Sequence, residues 1–550
     1  MGSRVSPVSI RGIKRFNTIG ACAALIFTAV AAGLLWLHGN RLVFSNDEGI
    51  ILDAAARMVH GQAPYRDFFA YMSPGSYWLQ EAAFRVFGMS LWAGRVIVVL
   101  DFALECAVLF WLTARLAGKK AGVAVTSLFF VFQATTPEFL LAQHRMDSAA
   151  LSLASIALCL EGQRQRRTWY WAAAGMLVAA AAACTPSIAL LAPVTLVWLV
   201  ADRTSRRFAI SYSAGLCSGA AAMLAALAAT GSLLPFMRQM MWLRQNYSDV
   251  NIMPYGSIIG GYGRELGAAG MDRLVRPLAL FCVALPAVLP VAALAAWAFW
   301  MLLRRGERRW AANNAIPYLL ACMVMYVAST YPRADVAHLA FVAVLPAALT
   351  AVWIARYAPR GLSTGVFTVL AILAGVFLAQ KAGSLRREVA VSTPVGTLRA
   401  DPSDTQALSR LLGIVSLDDT LYAHPYMPLL YFLTQCRNPT RYSYLAPGMM
   451  ARNEESAVLD SLAASPPKWL LYLPLSRDEF LRVFPHAGNL DHRFPRIEAW
   501  RLREYAPVEP PVIVAGYQLY ELRHRISAAT GCARIRAALP RPRAAGSPAP

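Results

Sequence analysis

Long apolar stretches alternate with short polar ones over the first two thirds of the chain. A membrane-spanning helix needs about 20 apolar residues, and eleven segments between residues 18 and 380 approach or exceed this length. They are 18–38, 95–115, 120–136, 147–161, 168–184, 187–201, 208–230, 277–303, 314–330, 338–356 and 362–380. The pattern therefore predicts a polytopic α-helical membrane domain over 18–380 with about eleven transmembrane helices, preceded by a short tail at 1–17. The first apolar run is long for a signal peptide and is interpreted as an uncleaved span.

The pattern changes after residue 380 to that of an ordinary soluble chain. Residues 468–473 form a short apolar run with the length of a buried strand, and residues 517–522 alternate like a half-buried strand. Residues 452–465 have helical periodicity. Residues 381–525 are therefore predicted to form a soluble α/β domain. The tail at 526–550 is rich in alanine, proline and arginine, and is predicted to be disordered.

The charges orient this arrangement in the membrane. The chain has 52 Lys and Arg against 31 Asp and Glu, a net charge of +21. Nineteen of the cations lie in the six short segments on one side of the threaded membrane, together with only three acidic residues. The positive-inside rule makes this side cytoplasmic, so the soluble domain is predicted in the periplasm of a Gram-negative cell, beyond its inner membrane. Topology explains the positive charge, which argues against a nucleic-acid partner, and the nine cysteines form no disulfide framework.

The first predicted outer loop, 39–94, is longer than a connection requires, and loops of this size are usually functional. Asn46, Asp47 and Glu48 come directly after the first span. Apolar residues at helical spacing follow them and predict an amphipathic helix on the membrane surface. Helix capping by Asn46 or Asp47 is the alternative, because both residue types favour the first turn. Two consecutive acidic residues exceed what capping requires, which favours a chemical role.

Acidic residues also lie at and inside the spans. The second outer loop, 137–147, ends in Asp147 at the entrance of the fourth span, where capping is again the alternative. Asp101 and Glu105 lie inside the second span, about one turn apart. Charges at this depth usually face a polar cavity, and the alternative is pairing with an arginine such as Arg95.

A third polar loop, 331–338, contains Arg333, Asp335 and His338 next to apolar spans. A guanidinium suits a phosphate, and Asp335 and His338 are suited to be metal ligands or an acid–base pair. Together with the outer loop 231–276, these loops all lie on the same predicted side. The sequence therefore predicts one polar site on the outer surface of the membrane domain.

A site in the periplasm restricts the chemistry, because this compartment lacks nucleotide sugars. A sugar used there arrives on a membrane lipid phosphate. Its transfer requires a carboxylate to deprotonate the acceptor hydroxyl, cations to hold the departing phosphate and an apolar groove for the lipid tail. The three loops and the polytopic base supply these elements.

Several of these stretches together resemble a known family. D-E-G at 47–49, G-Q-A-P-Y-R-D-F at 61–68 and S-P-G-S-Y-W at 73–78 are similar to the bacterial integral-membrane glycosyltransferases of the GT-C fold. These are relatives of the protein O-mannosyltransferases and of the lipid A aminoarabinose transferase. The likeness covers the topology and most of 40–160, and residues 431–448 resemble the soluble tail of the same group.

The resemblance implies inverting transfer of a sugar from a polyprenyl-phosphate donor. It implies that Asp47 is the essential aspartate of the first outer loop and that Asp147 is the acidic residue of the second. Arg333, Asp335 and His338 resemble a third loop motif of the nearest subgroup. The resemblance maps no metal site onto particular residues, so the cofactor stays open, with a divalent cation as one option.

The leading hypothesis is an inverting glycosyltransferase that moves a monosaccharide from a polyprenyl-phosphate donor to a lipid, glycan or protein acceptor. Asp47 would be the general base, Glu48 and Asp147 would orient the acceptor or bind a cation, and an arginine would hold the phosphate. The candidate residues are Asp47, Glu48 and Asp147 for catalysis, Arg66 and Arg333 for the donor phosphate, and Tyr65, Asp335 and His338 for substrate or metal contact.

Two other functions make different predictions. A multi-span transporter or lipid flippase of cell-envelope glycoconjugates predicts internal repeats and broken central helices, and the sequence has no clear repeat. A membrane scaffold with a periplasmic binding domain predicts that Asp47→Asn has little effect.

Overall fold

The computed structural model describes residues 16–135, 140–257, 276–303, 315–445, 454–474, 476–486 and 494–523. Several predicted segments lie outside these residues: nearly all of the N-terminal tail, loop residues 137–139, most of the second half of loop 231–276, the inner segment 304–309 and the C-terminal tail.

The membrane part is built from helices that coincide with the predicted spans. In chain order its helices are α1 (Phe16–His38), α2 (Asn46–Val59), α3 (Pro74–Phe87), α4 (Leu91–Ala117), α5 (Lys119–Thr135), α6 (His144–Gln165), α7 (Thr168–Cys184), α8 (Leu191–Ala201), α9 (Phe208–Ala229), α10 (Leu233–Asn251), α11 (Arg276–Leu303), α12 (Ala315–Ser329), α13 (Val336–Ala340), α14 (Val344–Tyr357) and α15 (Arg360–Arg387). A 3₁₀ turn, Pro186–Leu190, precedes α8.

Five of these helices, α1, α4, α9, α11 and α15, contain stretches long and apolar enough to cross a membrane. Their outward side chains include Ile210, 78% exposed, and Ile372, 63% exposed. Apolar residues exposed in this way are stable only against lipid or another apolar partner. The chain is therefore a multi-pass membrane protein. Four of the other predicted spans lie on shorter apolar helices, and the two on α5 and α6 are not among the apolar helices, so the number eleven stays a prediction.

Predicted inner segments within the described residues contact one another. Arg115, which ends α4, forms an ion pair of 3.0 Å with Glu161 near the end of α6. Arg356, near the end of α14, donates to the carbonyl of Leu116. The predicted outer loops meet one another elsewhere, as described below. The number of spans and their orientation stay predictions.

The C-terminal part combines a sheet with helices. Its strands are β1 (Val389–Thr393), β2 (Gly396–Ala400), β3 (Leu421–His424), β4 (Trp469–Tyr472), β5 (Tyr505–Pro507), β6 (Ile513–Val514) and β7 (Tyr517–Leu522), and its helices are α16 (Pro402–Leu412), α17 (Pro428–Thr434), α18 (Glu454–Ala464), α19 (Arg477–Val483) and α20 (Pro495–Glu504). β1 and β2 form an antiparallel hairpin. The main sheet has the order β3-β4-β7-β5, with β6 beside β7, and only β3 and β4 run parallel. β3 and β4 are buried along their whole length, as expected for short apolar runs.

The C-terminal part packs directly on α2, the helix that begins with Asn46 and Asp47. A Cβ atom on Gly49 would lie 2.2 Å from the backbone nitrogen of Leu429 in α17, so glycine is required for this approach. The rings of Phe84 and Phe432 stack at 5.5 Å beside it. The C-terminal part therefore fixes the position of the first outer loop.

Candidate active site

Asp47 lies in the first turn of α2, with its carboxylate partly exposed. Ser45 occupies the N-cap position, and its side chain makes no capping hydrogen bond. The Oδ2 atom of Asp47 instead accepts a hydrogen bond of 2.6 Å from the Nε2 group of Gln143, in the second outer loop. Asp47 thus faces another loop, and helix capping does not account for it.

Glu48 follows directly but points to the opposite side, into the protein. Its Oε2 accepts from the Nη2 of Arg95 at 2.8 Å, and its Oε1 lies 2.7 Å from the Nε of the same guanidinium. The Ala142 backbone N–H donates to Oε1 at 3.2 Å. Both side chains of the pair are fully buried. Burial raises the pKa of Glu48, and the charge of Arg95 opposes this effect. Glu48 therefore joins α2, α4 and the second outer loop.

The second outer loop leads into α6 and contributes Arg145. Its guanidinium donates to the carbonyls of Ser329, at 3.1 Å, and Thr330, at 3.4 Å, just before the third polar loop. Arg145 lies within electrostatic range of Asp47 and of Asp335. It therefore brings a positive charge near both acidic groups, although it is not among the residues predicted from the sequence.

The stretch Arg333-Ala-Asp335-Val-Ala-His338 forms a compact unit. Asp335 is the N-cap of α13, and its Oδ1 accepts hydrogen bonds from the backbone N–H of His338, at 3.0 Å, and from the Nδ1 of the same residue, at 2.7 Å. The Nε of Arg333 lies 3.5 Å from Oδ2. The Met253 N–H donates to the Pro332 carbonyl at 2.9 Å and fastens the unit to the segment after α10.

Asp335 stays ionised in this unit. Burial disfavours its charge, but the hydrogen bonds and charge of His338 and the charge of Arg333 outweigh burial and lower the pKa to about 2. An ordinary aspartate has a pKa of about 3.9. Its lowered pKa means that ionised Asp335 stabilises the folded chain fully above about pH 4, and less as pH falls toward 2.

We predict that Asp335→Asn lowers the unfolding temperature by a constant amount between pH 5 and pH 8, because Asp335 keeps its charge over this range. The difference from the unsubstituted chain should shrink between pH 4 and pH 3. Thermal unfolding in detergent measures it, and asparagine retains the capping ability. If the two proteins differ in unfolding temperature by the same amount at pH 3 and pH 7, the lowered pKa of Asp335 is contradicted.

Three tyrosines lie near Asp47. Tyr71 belongs to the first outer loop, Tyr247 to α10 and Tyr444 to the C-terminal part, and all three lie within electrostatic range of Asp47. The rings of Tyr71 and Tyr444 are 5.7 Å apart. Burial raises the pKa of each phenol, so the hydroxyls stay protonated at neutral pH. The site thus has three aromatic rings near Asp47, each with a hydroxyl group that can form hydrogen bonds.

Arg66 and Tyr65 lie apart from this cluster. The Arg66 guanidinium donates to both carboxylate oxygens of Asp67, at 2.7 and 2.8 Å, and to the Thr230 carbonyl at 2.8 Å. Tyr65 is buried, and its hydroxyl donates to the Met72 carbonyl at 2.6 Å. Of the two arginines predicted for the donor phosphate, the structure brings only Arg333 next to Asp335 and Arg145.

Asp147 and Asp101 face each other inside the bundle, with the hydroxyl of Ser76 beside Asp147. The predicted alternative, in which Arg95 neutralises Asp101 and Glu105, is wrong because Arg95 is engaged by Glu48. Asp147 is buried and does not cap α6, whose N-cap residue is Gln143. Asp101 therefore faces another acidic residue, Asp147, and not Arg95.

Within the described ranges, no group of three or more His, Cys, Asp or Glu residues is arranged to hold a metal ion. Asp335 and His338 are hydrogen-bonded to each other, which favours the acid–base pair over two metal ligands.

A large apolar cavity of about 690 Å³ lies beside the site, between α5, α11, α14 and α15. Its upper end includes Gln133 and Ala343. The Nε2 group of Gln133 donates to the Ala340 carbonyl at 3.0 Å, two residues after His338. The cavity therefore reaches the base of the third polar loop.

Comparison with known proteins assigns the fold. Residues 72–232 match a family model described as dolichyl-phosphate-mannose-protein mannosyltransferase. The crystal structure of ArnT from Cupriavidus metallidurans bound to undecaprenyl phosphate is 14% identical, with a TM-score of 0.53 over 90% of this chain and 97% of that one. Its apo state gives 14% identity and 0.52, over 91% and 98%. The oligosaccharyltransferase of Archaeoglobus fulgidus gives 11% and 0.48, over 84% and 70%. A search of curated proteins found no match.

The likeness to ArnT extends over nearly all of both chains, and at this identity it establishes the fold. The resemblance to GT-C-fold glycosyltransferases, inferred from the outer loops, is confirmed. The family match begins inside the first outer loop and covers α3 to α9.

Proposed function

We propose that this chain is an inverting glycosyltransferase that moves a monosaccharide from a polyprenyl-phosphate donor to a lipid, glycan or protein acceptor. It would lie in the bacterial inner membrane with its N-terminus in the cytoplasm and its C-terminal part in the periplasm. The alternative is a transporter or flippase of cell-envelope glycoconjugates. The similar ArnT structure holds undecaprenyl phosphate, a lipid phosphate of the class proposed for the donor.

The observation that carries this proposal is the junction of an apolar cavity with a charged site. The cavity reaches Gln133 and Ala343, directly below the loop of Arg333 and His338. A donor with its tail in the cavity would present its phosphate to this loop. A flippase needs a polar path through the membrane, whereas this cavity is lined almost entirely by apolar side chains.

In the proposed reaction, Asp47 accepts the proton of the acceptor hydroxyl. The acceptor oxygen attacks the anomeric carbon from the face opposite the phosphate, the glycosidic bond to the acceptor forms, and the bond to the phosphate oxygen breaks with both electrons going to that oxygen. The configuration inverts. The hydrogen bond from Gln143 holds one carboxylate oxygen of Asp47 and leaves the other available as the base.

Arg145 and Arg333 would stabilise the departing polyprenyl phosphate. Both guanidinium groups lie within electrostatic range of Asp335, whose fixed negative charge holds them together. Cations placed where charge develops lower the barrier without reorganising during the reaction. His338 donates its Nδ1–H to Asp335, which leaves Nε2 of the neutral ring as an acceptor, and Nε2 would accept a hydrogen bond from a hydroxyl of the donor sugar.

The remaining candidates would act by positioning. The three tyrosines around Asp47 would pack against the sugar ring and hydrogen-bond its hydroxyls. Glu48 would hold the first turn of α2 through Arg95, so that Asp47 faces the second outer loop. Asp147 is buried against Asp101, with Ser76 beside it. It would hold the start of α6, and with it Gln143, in position beside Asp47.

The proposal is tested with the purified chain in detergent and a labelled polyprenyl-phosphate sugar, with membrane extract from a strain lacking the gene as the acceptor source. A labelled glycoconjugate is expected. A transporter forms no product in micelles, because they have no compartments, yet it restores the glycoconjugate in the complemented strain. That combination would overturn the transferase.

We predict that Arg145→Gln lowers kcat/KM for the lipid-linked donor about 10- to 100-fold, because one charged hydrogen bond to the phosphate is lost. Arg145→Lys should recover part of this loss, since it keeps the charge but not the two-pronged geometry. Initial rates at varied donor concentration measure the effect. Arg207→Gln, an exposed change on the predicted inner side, is the control, and equal rates for both variants would contradict the assignment.

A further inference from the structure

Besides the apolar cavity, the structure has a polar cavity of about 400 Å³ between the first outer loop, α10 and the C-terminal part. Its charged and aromatic lining consists of Arg66, Arg238, Arg441, Tyr65, Phe69 and Trp242. This arginine cleft, as we call it, contains three guanidinium groups and no acidic side chain in its lining.

The three arginines differ in how far their charge is balanced. Arg66 is neutralised by Asp67, while the Arg441 guanidinium donates to the Tyr65 carbonyl, at 3.2 Å. Arg238 is exposed, and no hydrogen bond or ion pair engages its guanidinium within the part of the chain that the structure describes. The cleft therefore has about two unbalanced positive charges beside aromatic faces.

The cleft opens at the level of the membrane surface. α10 begins four residues after the end of α9, a helix of membrane-spanning length. Another face of α10 exposes Leu234, Met237 and Met241 by 56%, 50% and 62%. A helix with exposed apolar residues on one side and arginines on another lies in the interface between lipid tails and headgroups. The arginines of the cleft are thus placed at headgroup depth.

α10 also connects the cleft to the candidate active site. Arg238 lines the cleft, and Tyr247 on the same helix lies near Asp47. Nine residues separate them, which is roughly 14 Å along a helix axis. The Gln239 side chain donates to the Ala70 carbonyl and fixes α10 against the first outer loop next to Tyr71. A ligand bound in the cleft can therefore reach the site.

We propose that the arginine cleft binds a phosphate group on the headgroup of a membrane-embedded acceptor, while the acceptor hydroxyl extends to Asp47. This inference rests on the proposed function, because it names the class of acceptor. Guanidinium groups bind phosphate through paired, charge-assisted hydrogen bonds, and aromatic faces accommodate the attached sugar or glycerol. It also gives Arg66 a place on the acceptor side of the reaction.

The experiment measures binding to the full-length chain in a non-ionic detergent by calorimetry. The probes are dihexanoyl phosphatidic acid, dihexanoyl phosphatidylcholine and inorganic phosphate. Phosphatidic acid should bind, and Arg238→Gln should weaken this binding about tenfold through the loss of one charged hydrogen bond. Arg244→Gln is the matched control, because Arg244 is exposed on the same helix and outside the lining of the cleft.

Comparing the three probes shows whether the cleft binds a lipid headgroup or free phosphate. Tighter binding of phosphatidic acid than of inorganic phosphate, lost in Arg238→Gln, supports a lipid headgroup. Equal affinity for the two would make this a free-phosphate site and overturn the acceptor assignment, as would equal effects of Arg238→Gln and Arg244→Gln or equal binding of phosphatidylcholine. Asp47→Asn should bind phosphatidic acid normally. If Asp47→Asn also retains sugar transfer, Asp47 is not the general base. The binding of phosphatidic acid then still tests the arginine cleft independently.

Discussion

Replacing Asp47 with asparagine should reduce sugar transfer by about two to four orders of magnitude, the usual contribution of a general base. The substitution is nearly isosteric, and asparagine accepts hydrogen bonds at a helix start as well as aspartate does. The contact with Gln143 can also persist through the amide oxygen. A purely structural role would therefore survive the change, whereas proton abstraction would not.

The measurement is the initial rate of labelled sugar transfer by purified protein at saturating donor. Asp460→Asn removes the same charge from an exposed position on α18 and should have no effect. Both variants should unfold at the temperature of the unsubstituted chain. If Asp47→Asn keeps more than about a tenth of the rate, Asp47 is not the base, and the scaffold hypothesis becomes the better one.

The helices could be predicted from the sequence because the length of an apolar run directly limits what it can form. The run from Leu91 to Ala117 has no other stable arrangement than a buried or lipid-facing helix. The alternating pattern at Tyr517–Leu522 likewise coincides with β7. These properties are local, so neighbouring residues alone determine them.

The convergence of the polar loops could be predicted only through the membrane. Asp47 and Arg333 are far apart in sequence, and no local pattern connects them. Both residues belong to loops predicted on the same side of the membrane. Loops on one side of a helical bundle share a small surface, so the two residues are expected to lie close together. Gln143 and Arg145 lie on the same predicted side, but the sequence does not single them out, because a glutamine and an arginine near a span have many ordinary roles.

Other features could not be predicted because they depend on packing between distant segments. Tyr444 reaches Asp47 only because the C-terminal part docks on α2 at Gly49. The partner of Arg95 could not be chosen from sequence distance, since Asp101 is only six residues away and Glu48 is in a different helix. The structure selects Glu48. The two adjacent acidic residues of the first loop thereby separate into a half-buried one that faces the second outer loop and a fully buried one.

That separation gives the largest expected effect on stability. Glu48→Gln would leave the buried guanidinium of Arg95 without its counter-charge, and breaking a buried ion pair in this way costs about 3–5 kcal/mol. The unfolding temperature in detergent should fall clearly. Glu81→Gln is the control, because Glu81 forms an exposed pair of 2.7 Å with Arg85, and such surface pairs contribute about 0–1 kcal/mol.

The double variant Glu48→Gln/Arg95→Gln distinguishes a structural from a catalytic role. It removes both charges and keeps groups that can hydrogen-bond to Ala142 and Leu140, so it should regain part of the lost stability. The transfer rate per folded molecule should recover with it if Glu48 only positions the first turn of α2. A stable double variant that stays inactive would instead show that Glu48 acts on the substrate, because restoring the packing cannot replace a missing carboxylate.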